Sequence, residues 1–172
     1  MNRKVLLLAS VAFLAAASAT AQTKISGTLT CKDAEPTHKL EVGDRPGHVM
    51  ELGKSNCTAR QPWELGGDKY KEGYSVGASE TRLTRVLVSG THVDTYESGD
   101  KAFAAYHNAM QLKNGKPTGD GRGTWSYTGG TGKFKGIKGK GTYKVTENSD
   151  GTVTVEVEGE YQLAASAAAP KK

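Results

Sequence analysis

The chain has 172 residues, carries a formal net charge of +5 and contains 22 glycines, nearly twice the usual glycine share of about 7%. Hydrophobic residues make up only 36% and mean hydropathy is negative. These figures disfavour a multi-domain enzyme, a polytopic membrane protein and a Leu/Ala-rich helical bundle, and they suit a thin-cored β protein with many turns.

The N-terminus reads as a secretion signal. Arg3 and Lys4 form a short positive region, and Val5 to Ala17 is a largely apolar run. That run is shorter than the ~20 residues a spanning helix needs. Ala19-Thr20-Ala21 then offers small residues where a signal peptidase cuts, so cleavage is expected after Ala21. The mature chain is therefore expected to be exported, periplasmic or secreted, with no membrane span. Without Arg3 and Lys4, Lys plus Arg falls from 23 to 21 against 18 Asp plus Glu, a net of +3. So mild a charge is no nucleic-acid footprint. Cys31 and Cys57 are the two cysteines. In an oxidising compartment an even pair predicts one disulfide.

The mature chain alternates with period two, punctuated by Gly, Asn and Asp. Ile25, Gly27, Leu29 and Cys31 share one face of a first strand. Lys39–Val42 reads as a second short strand, 43–47 as a turn, and His48–Leu52 as strand again. Ser55–Arg60 carries Cys57 towards Cys31. Gln61–Gly73 reads as a loop in which Trp63 needs a docking place. Tyr74–Ala78 and Arg85–Tyr96 are strands. On the latter, Val86, Val88, Gly90, His92 and Asp94 share one parity, but both faces are mixed and the buried one is not evident. Lys101–Lys113 is ambiguous between helix and strand, and the flanking turn signals favour strand. Asn114-Gly115 marks a hairpin.

The clearest alternation runs from Gly121 to Leu163. Trp125 and Tyr127 share a face. The parity shift at Gly136 suggests a β-bulge, after which Ile137, Gly139, Gly141, Tyr143 and Val145 point inward. Pairing Val145 with Val153 across the 148–151 turn places Lys140 opposite Glu158, Lys138 opposite Glu160 and Tyr143 opposite Val155. The lysines at 133, 135, 138, 140 and 144 then form a solvated, salt-bridged face.

The pattern gives an all-β domain over 22–163, with a disordered Ala/Pro/Lys tail over 164–172. A single antiparallel β-barrel of about eight strands removes exposed edges. A β-sandwich is the alternative.

Chemistry is sparse. The Gly-Lys-rich stretch 129–141 lacks the spacing of a phosphate loop, and no G-x-G-x-x-G is present. The four histidines are too far apart in sequence for a metal motif. No cofactor or metal is expected. His92 and Asp94 lie at i and i+2 on one strand face, and a barrel could bring His107 near them as an acid–base pair with an orienting carboxylate. Trp125, Tyr127, Phe134, Tyr143 and Tyr161 would fill the barrel or line an apolar cavity.

The run 123–143, GTWSYTGGTGKFKGIKGKGTY, resembles the late strands of allene oxide cyclase-like and dirigent-type barrels, where a G-G-T-G-x-[FL] turn precedes a G-x-x-G-x-G strand. A looser likeness extends over 85–163. The resemblance implies an eight-stranded antiparallel barrel with an apolar interior. Some members of that superfamily cyclise a lipid epoxide, and others steer radical coupling without an active site of their own. The motif is structural and transfers no catalytic residue. The leading expectation is an exported barrel that binds an apolar or amphipathic small molecule without catalysis, or persists as a structural envelope protein. The alternatives are a cyclase or isomerase working inside the barrel, and a module that docks an anionic polymer or protein on the Lys-rich strand.

Overall fold

The computed structural model describes residues 22–61, 63–118 and 121–164. The expected signal segment 1–21 and the tail from 165 onward lie outside the described residues. The strands are β1 (Thr23–Glu41), β2 (Val49–Ala59), β3 (Glu64–Leu65), β4 (Asp68–Arg82), β5 (Arg85–Tyr96), β6 (Lys101–Lys113), β7 (Lys116–Pro117), β8 (Gly121–Gly130), β9 (Lys138–Glu147) and β10 (Val153–Gln162). Among the described residues the one helical piece is a 3-10 turn, Gly132–Phe134.

Eight long strands close on themselves. Each pairs antiparallel with its neighbour in the order β1, β2, β4, β5, β6, β8, β9, β10, and β10 returns to β1. The barrel is all-β and up-and-down, and it leaves no free edge among its staves. The two short strands, β3 and β7, only extend hairpins.

The expected short strand at Lys39–Val42 is the far end of β1, which continues past an irregularity between Ala34 and His38. Lys101–Lys113 is a strand throughout. At the 114–115 hairpin both Asn114 (φ 54°) and Gly115 (φ 74°) are left-handed, as a two-residue turn of the primed type requires.

Gln61–Gly73, expected as a loop, instead holds β3 and the start of β4 from Asp68. Two further expectations fail locally. The β9–β10 register is shifted by two residues from the expected pairing: Val153 faces Glu147, Val145 faces Val155, Tyr143 faces Val157 and Lys140 faces Glu160. The turn decides this. Asn148 N–H donates to Thr152 O at 2.8 Å, and Gly151 takes φ 79°, so the loop is Ser149-Asp150-Gly151. A three-residue loop with glycine in the left-handed position is a common hairpin closure. A shift of two keeps every side chain on its expected face. Opposite charges still meet, now as Lys144–Glu156 at 3.9 Å and Lys24–Glu160 at 3.5 Å. The second failure is the bulge at Gly136. The parity shift there is the 3-10 turn, which drops Phe134 below the barrel, with Gly136 (φ 71°) carrying the chain into β9.

One end of the barrel is sealed. Trp63, Tyr70, Tyr96 and Phe134 stack edge-on or tilted in sequence, with ring centroids 5.4, 6.2 and 4.7 Å apart. Leu65, Ile137 and Tyr161 complete this buried floor. Trp63 finds its docking place against Gly27, where any Cβ would collide with the indole. The Tyr70 hydroxyl donates to Cys57 O at 3.1 Å.

Cys31 and Cys57 face each other across β1 and β2 and form the expected disulfide. The bridge closes a loop with a sequence separation of 26. In the chain-entropy treatment this contributes about 3 kcal/mol. The double variant Cys31→Ala/Cys57→Ala should therefore unfold at lower denaturant by about that amount, with the m-value reporting any change in the unfolded state. An unchanged midpoint would exclude the bridge as a stabiliser.

Candidate functional site

Above the floor the interior is hollow. A cavity of about 380 Å³ runs up the axis from Ile25, Trp63 and Tyr127 to Thr37, Glu51, Met110 and Glu147. It exists because many inward positions are glycine. Tyr106 lays its hydroxyl over Gly77 and Gly90, Tyr143 covers Gly123, and the Trp125 indole covers Gly141 and Gly159. The rings lie against the wall and leave the axis free. Trp125 Nε1 donates to Glu158 O at 3.2 Å, which satisfies the polar edge of the ring.

The parity of β5 that carries Val88, His92 and Asp94 turns inward. Asp94 is 4% exposed. Its Oδ1 lies 2.8 Å from His92 Nε2, and His92 Nδ1 lies 2.7 Å from Ser75 Oγ. Ser75 sits directly opposite His92 in the β4–β5 ladder. A carboxylate only accepts, so His92 Nε2 carries the proton and donates to Asp94. In the neutral imidazole Nδ1 is then left to accept from the Ser75 hydroxyl. All three residues line the cavity. Burying Asp94 without such a donor would be costly.

Of the expected site residues, the structure brings His92 and Asp94 together and leaves His107 out. His107 pairs with Ser89 and Thr124 on the exposed outer face. The β5–β6 register puts Ala102 and Ala104, not His107, beside Asp94 and His92. Trp125, Tyr127 and Tyr143 line the cavity. Phe134 and Tyr161 do not: Phe134 is fully buried against Tyr96, and the Tyr161 hydroxyl accepts from Gly66 N–H at 3.0 Å in the floor. Ser75, Tyr106 and Asn108 were not singled out by sequence. The available signal for Ser75 was its parity with Gly77 and Ser79 opposite Gly90 and Val88.

The phenols remain neutral. Burial, and secondly the Asp94 charge, push the Tyr127 hydroxyl well above its ordinary value. Burial does the same for Tyr143 and Tyr106. The Tyr143 hydroxyl and Asn108 Oδ1 are buried in the cavity wall without a hydrogen-bond partner among the described residues. Buried polar atoms of this kind are rare unless a ligand or solvent meets them.

At the opposite end from the floor, the turn between β1 and β2 is fastened to β4. His48 is buried, with Nδ1 2.5 Å from Asp44 Oδ1 and Nε2 2.8 Å from Glu80 Oε1. Arg45 and then His48 hold the Asp44 carboxyl at about 2. Arg82 and then His48 hold Glu80 below its ordinary value. Asp44 first, and Glu80 second, push His48 above its ordinary value. The lysines at 138, 140 and 144 project from the outer wall, away from the cavity.

No family model matches the chain, and no curated protein matches it in sequence. Solved structures do. The pterocarpan synthase dirigent protein PsPTS1 superposes with TM-score 0.51 at 13% identity, covering 84% of this chain and 97% of that one. The pterocarpan synthase dirigent protein GePTS1 gives TM-score 0.50 at 12% identity, over 84% and 92%. A protein of unknown function from Shewanella oneidensis gives 0.48 at 12% identity, over 84% and 99%. The chain thus has the fold of the dirigent-type barrels, as the 123–143 motif implied. At these identities the likeness establishes the fold alone.

The His48 latch sets a pH window. A raised histidine value means that its contribution is complete below 6.5 and is lost as pH rises through the folded value. Depressed carboxylates contribute fully above their ordinary values, at most 4.5, and lose that contribution as pH falls towards about 2. The stability difference between wild type and His48→Gln should therefore be largest between 4.5 and 6.5 and shrink on both sides. Denaturant melts across pH check this; a difference that grows above neutrality would contradict the latch.

Proposed function

We propose that this barrel is an exported binding protein for a small, largely apolar molecule carrying a few hydrogen-bonding groups. The observation that carries the reading is the axial cavity of about 380 Å³, within the usual range for small-molecule sites. Val88, Val145, Val155 and Trp125 supply apolar wall, while Tyr143, Asn108 and Ser75 supply a small number of polar groups. This is the composition expected of a site that takes its affinity from burial and its orientation from a few hydrogen bonds. The sealed floor favours entry from the opposite end, between Glu51 and Glu147. The Cys31–Cys57 disulfide supports an oxidising compartment.

The test is titration with the apolar fluorophore N-phenyl-1-naphthylamine, read by its own emission and by quenching of Trp63 and Trp125, which both line the cavity. Wild type should bind one equivalent. Val88→Trp, which places an indole in the cavity, should weaken binding at least about tenfold, or 1.4 kcal/mol, with the unfolding midpoint retained. Absence of binding to folded wild type would overturn the reading.

A further inference from the structure

We propose that Ser75 is an acyl-transfer nucleophile, with His92 as its base and Asp94 as the group that orients the base. The substrate class is an ester of a largely apolar acid. The inference rests on the cavity reading above, because the acyl chain would occupy that cavity.

Both nitrogens of His92 are engaged, Nε2 by Asp94 and Nδ1 by Ser75. The ring therefore has no free nitrogen with which to take a proton from a ligand directly. What the chain offers the cavity is Ser75 Oγ, which stands 2.7 Å from His92 Nδ1. This is the relation an activated serine requires. Order along the relay follows from burial. Asp94 is sunk at the wall beside Ala102, whereas Ser75 is only partly buried. A donor for a developing oxyanion is close by. The Tyr106 hydroxyl lies over Gly77 and Gly90, the inward pair next to Ser75 and His92. Burial keeps that phenol protonated, so it can donate.

The step balances without further reagents than water. Ser75 Oγ adds to the ester carbonyl carbon as its proton passes to His92 Nδ1. The carbonyl pair moves onto oxygen, within reach of the Tyr106 hydroxyl. Collapse restores the carbonyl and breaks the bond to the alkoxy oxygen. The alcohol leaves with the proton from Nδ1. Water entering from the open end repeats the sequence on the acyl-enzyme, releasing the acid and restoring Ser75. Asp94 acts throughout as a positioning residue that offsets the charge on the imidazolium.

The experiment is labelling of the intact protein with a long-chain alkyl fluorophosphonate, followed by peptide mapping. Phosphorus bonds to Oγ, fluoride leaves and His92 takes the proton. The expected result is one adduct, on Ser75, absent in Ser75→Ala and formed about 100-fold or more slowly in His92→Gln. Asp94→Asn should lower kcat for p-nitrophenyl ester hydrolysis while changing KM by less than about twofold. Where His92→Gln does not fold, the wild type decides: bound N-phenyl-1-naphthylamine should protect Ser75 from the label. Failure to label Ser75 in protein that still binds the fluorophore overturns the acyl-transfer inference and leaves the cavity reading standing. Failure of both overturns the two together.

Discussion

The structure depends on aromatic rings seated on glycine. An eight-stranded barrel is just wide enough for inward side chains to meet across its axis. Here the inward positions around the middle are often glycine, so each large ring lies on the wall rather than across the bore. Tyr106 on Gly77 and Gly90, Tyr143 on Gly123, and Trp125 on Gly141 and Gly159 are the repeated unit. A methyl group at any of these glycines would collide with the ring seated on it and with the backbone of the neighbouring strand. The cavity therefore follows from where the glycines stand, and the rings that would fill a small barrel line it instead.

Closure of one end supplies the stability that the hollow middle does not. The stack from Trp63 through Tyr70 and Tyr96 to Phe134 joins residues from the β2–β3 connection, β4, β5 and the 3-10 turn. Apolar burial is concentrated there, together with Leu65 and Ile137. Asp68, also buried, fixes the same end by accepting from Ser98 N–H at 3.3 Å and pairing with Lys133 at 3.1 Å. The other end is held by charge, through Asp44, His48, Glu80 and Arg82. Apolar packing at one end and titratable contacts at the other give the barrel a sealed end and a chemically adjustable one.

How much of this was legible in the sequence varied with the kind of signal. Period-two alternation gave most of the strands and the closed all-β architecture, because half-buried antiparallel strands write their facing into the sequence, and the even cysteine pair in an exported chain gave the disulfide. Register was half legible. Charge and apolar pattern could not separate two pairings that differ by two residues, and the Asn148–Thr152 closure chose between them. The facing of β5 was illegible because both of its faces mix polar and apolar residues. A buried carboxylate reads as an exposed one until its partner is found, and Ser75 lies on another strand. His107 was misplaced because a hairpin turn fixes which strands pair without fixing which face each residue takes. Whether Phe134 and Tyr161 fill the core or line a cavity was illegible because an aromatic on an inward parity looks the same at the floor as in the bore.

The position of the Ser75–His92–Asp94 chain constrains what the cavity suits. Asp94 stands near the floor, one alternation above Tyr96, and Ser75 faces the bore at the level of Ala104. Apolar wall lies on the far side, at Leu29, Val155 and Val157. A bound molecule would therefore present a polar group low in the bore, towards β4 and β5, and apolar surface towards β1 and β10. The unpartnered Tyr143 hydroxyl and Asn108 Oδ1 stand higher, across Gly123 from one another in the register. A mainly apolar wall with this polar pair high in the bore favours an elongated amphipathic guest over a compact hydrocarbon, since the latter would leave the Tyr143 hydroxyl and Asn108 Oδ1 buried and unsatisfied.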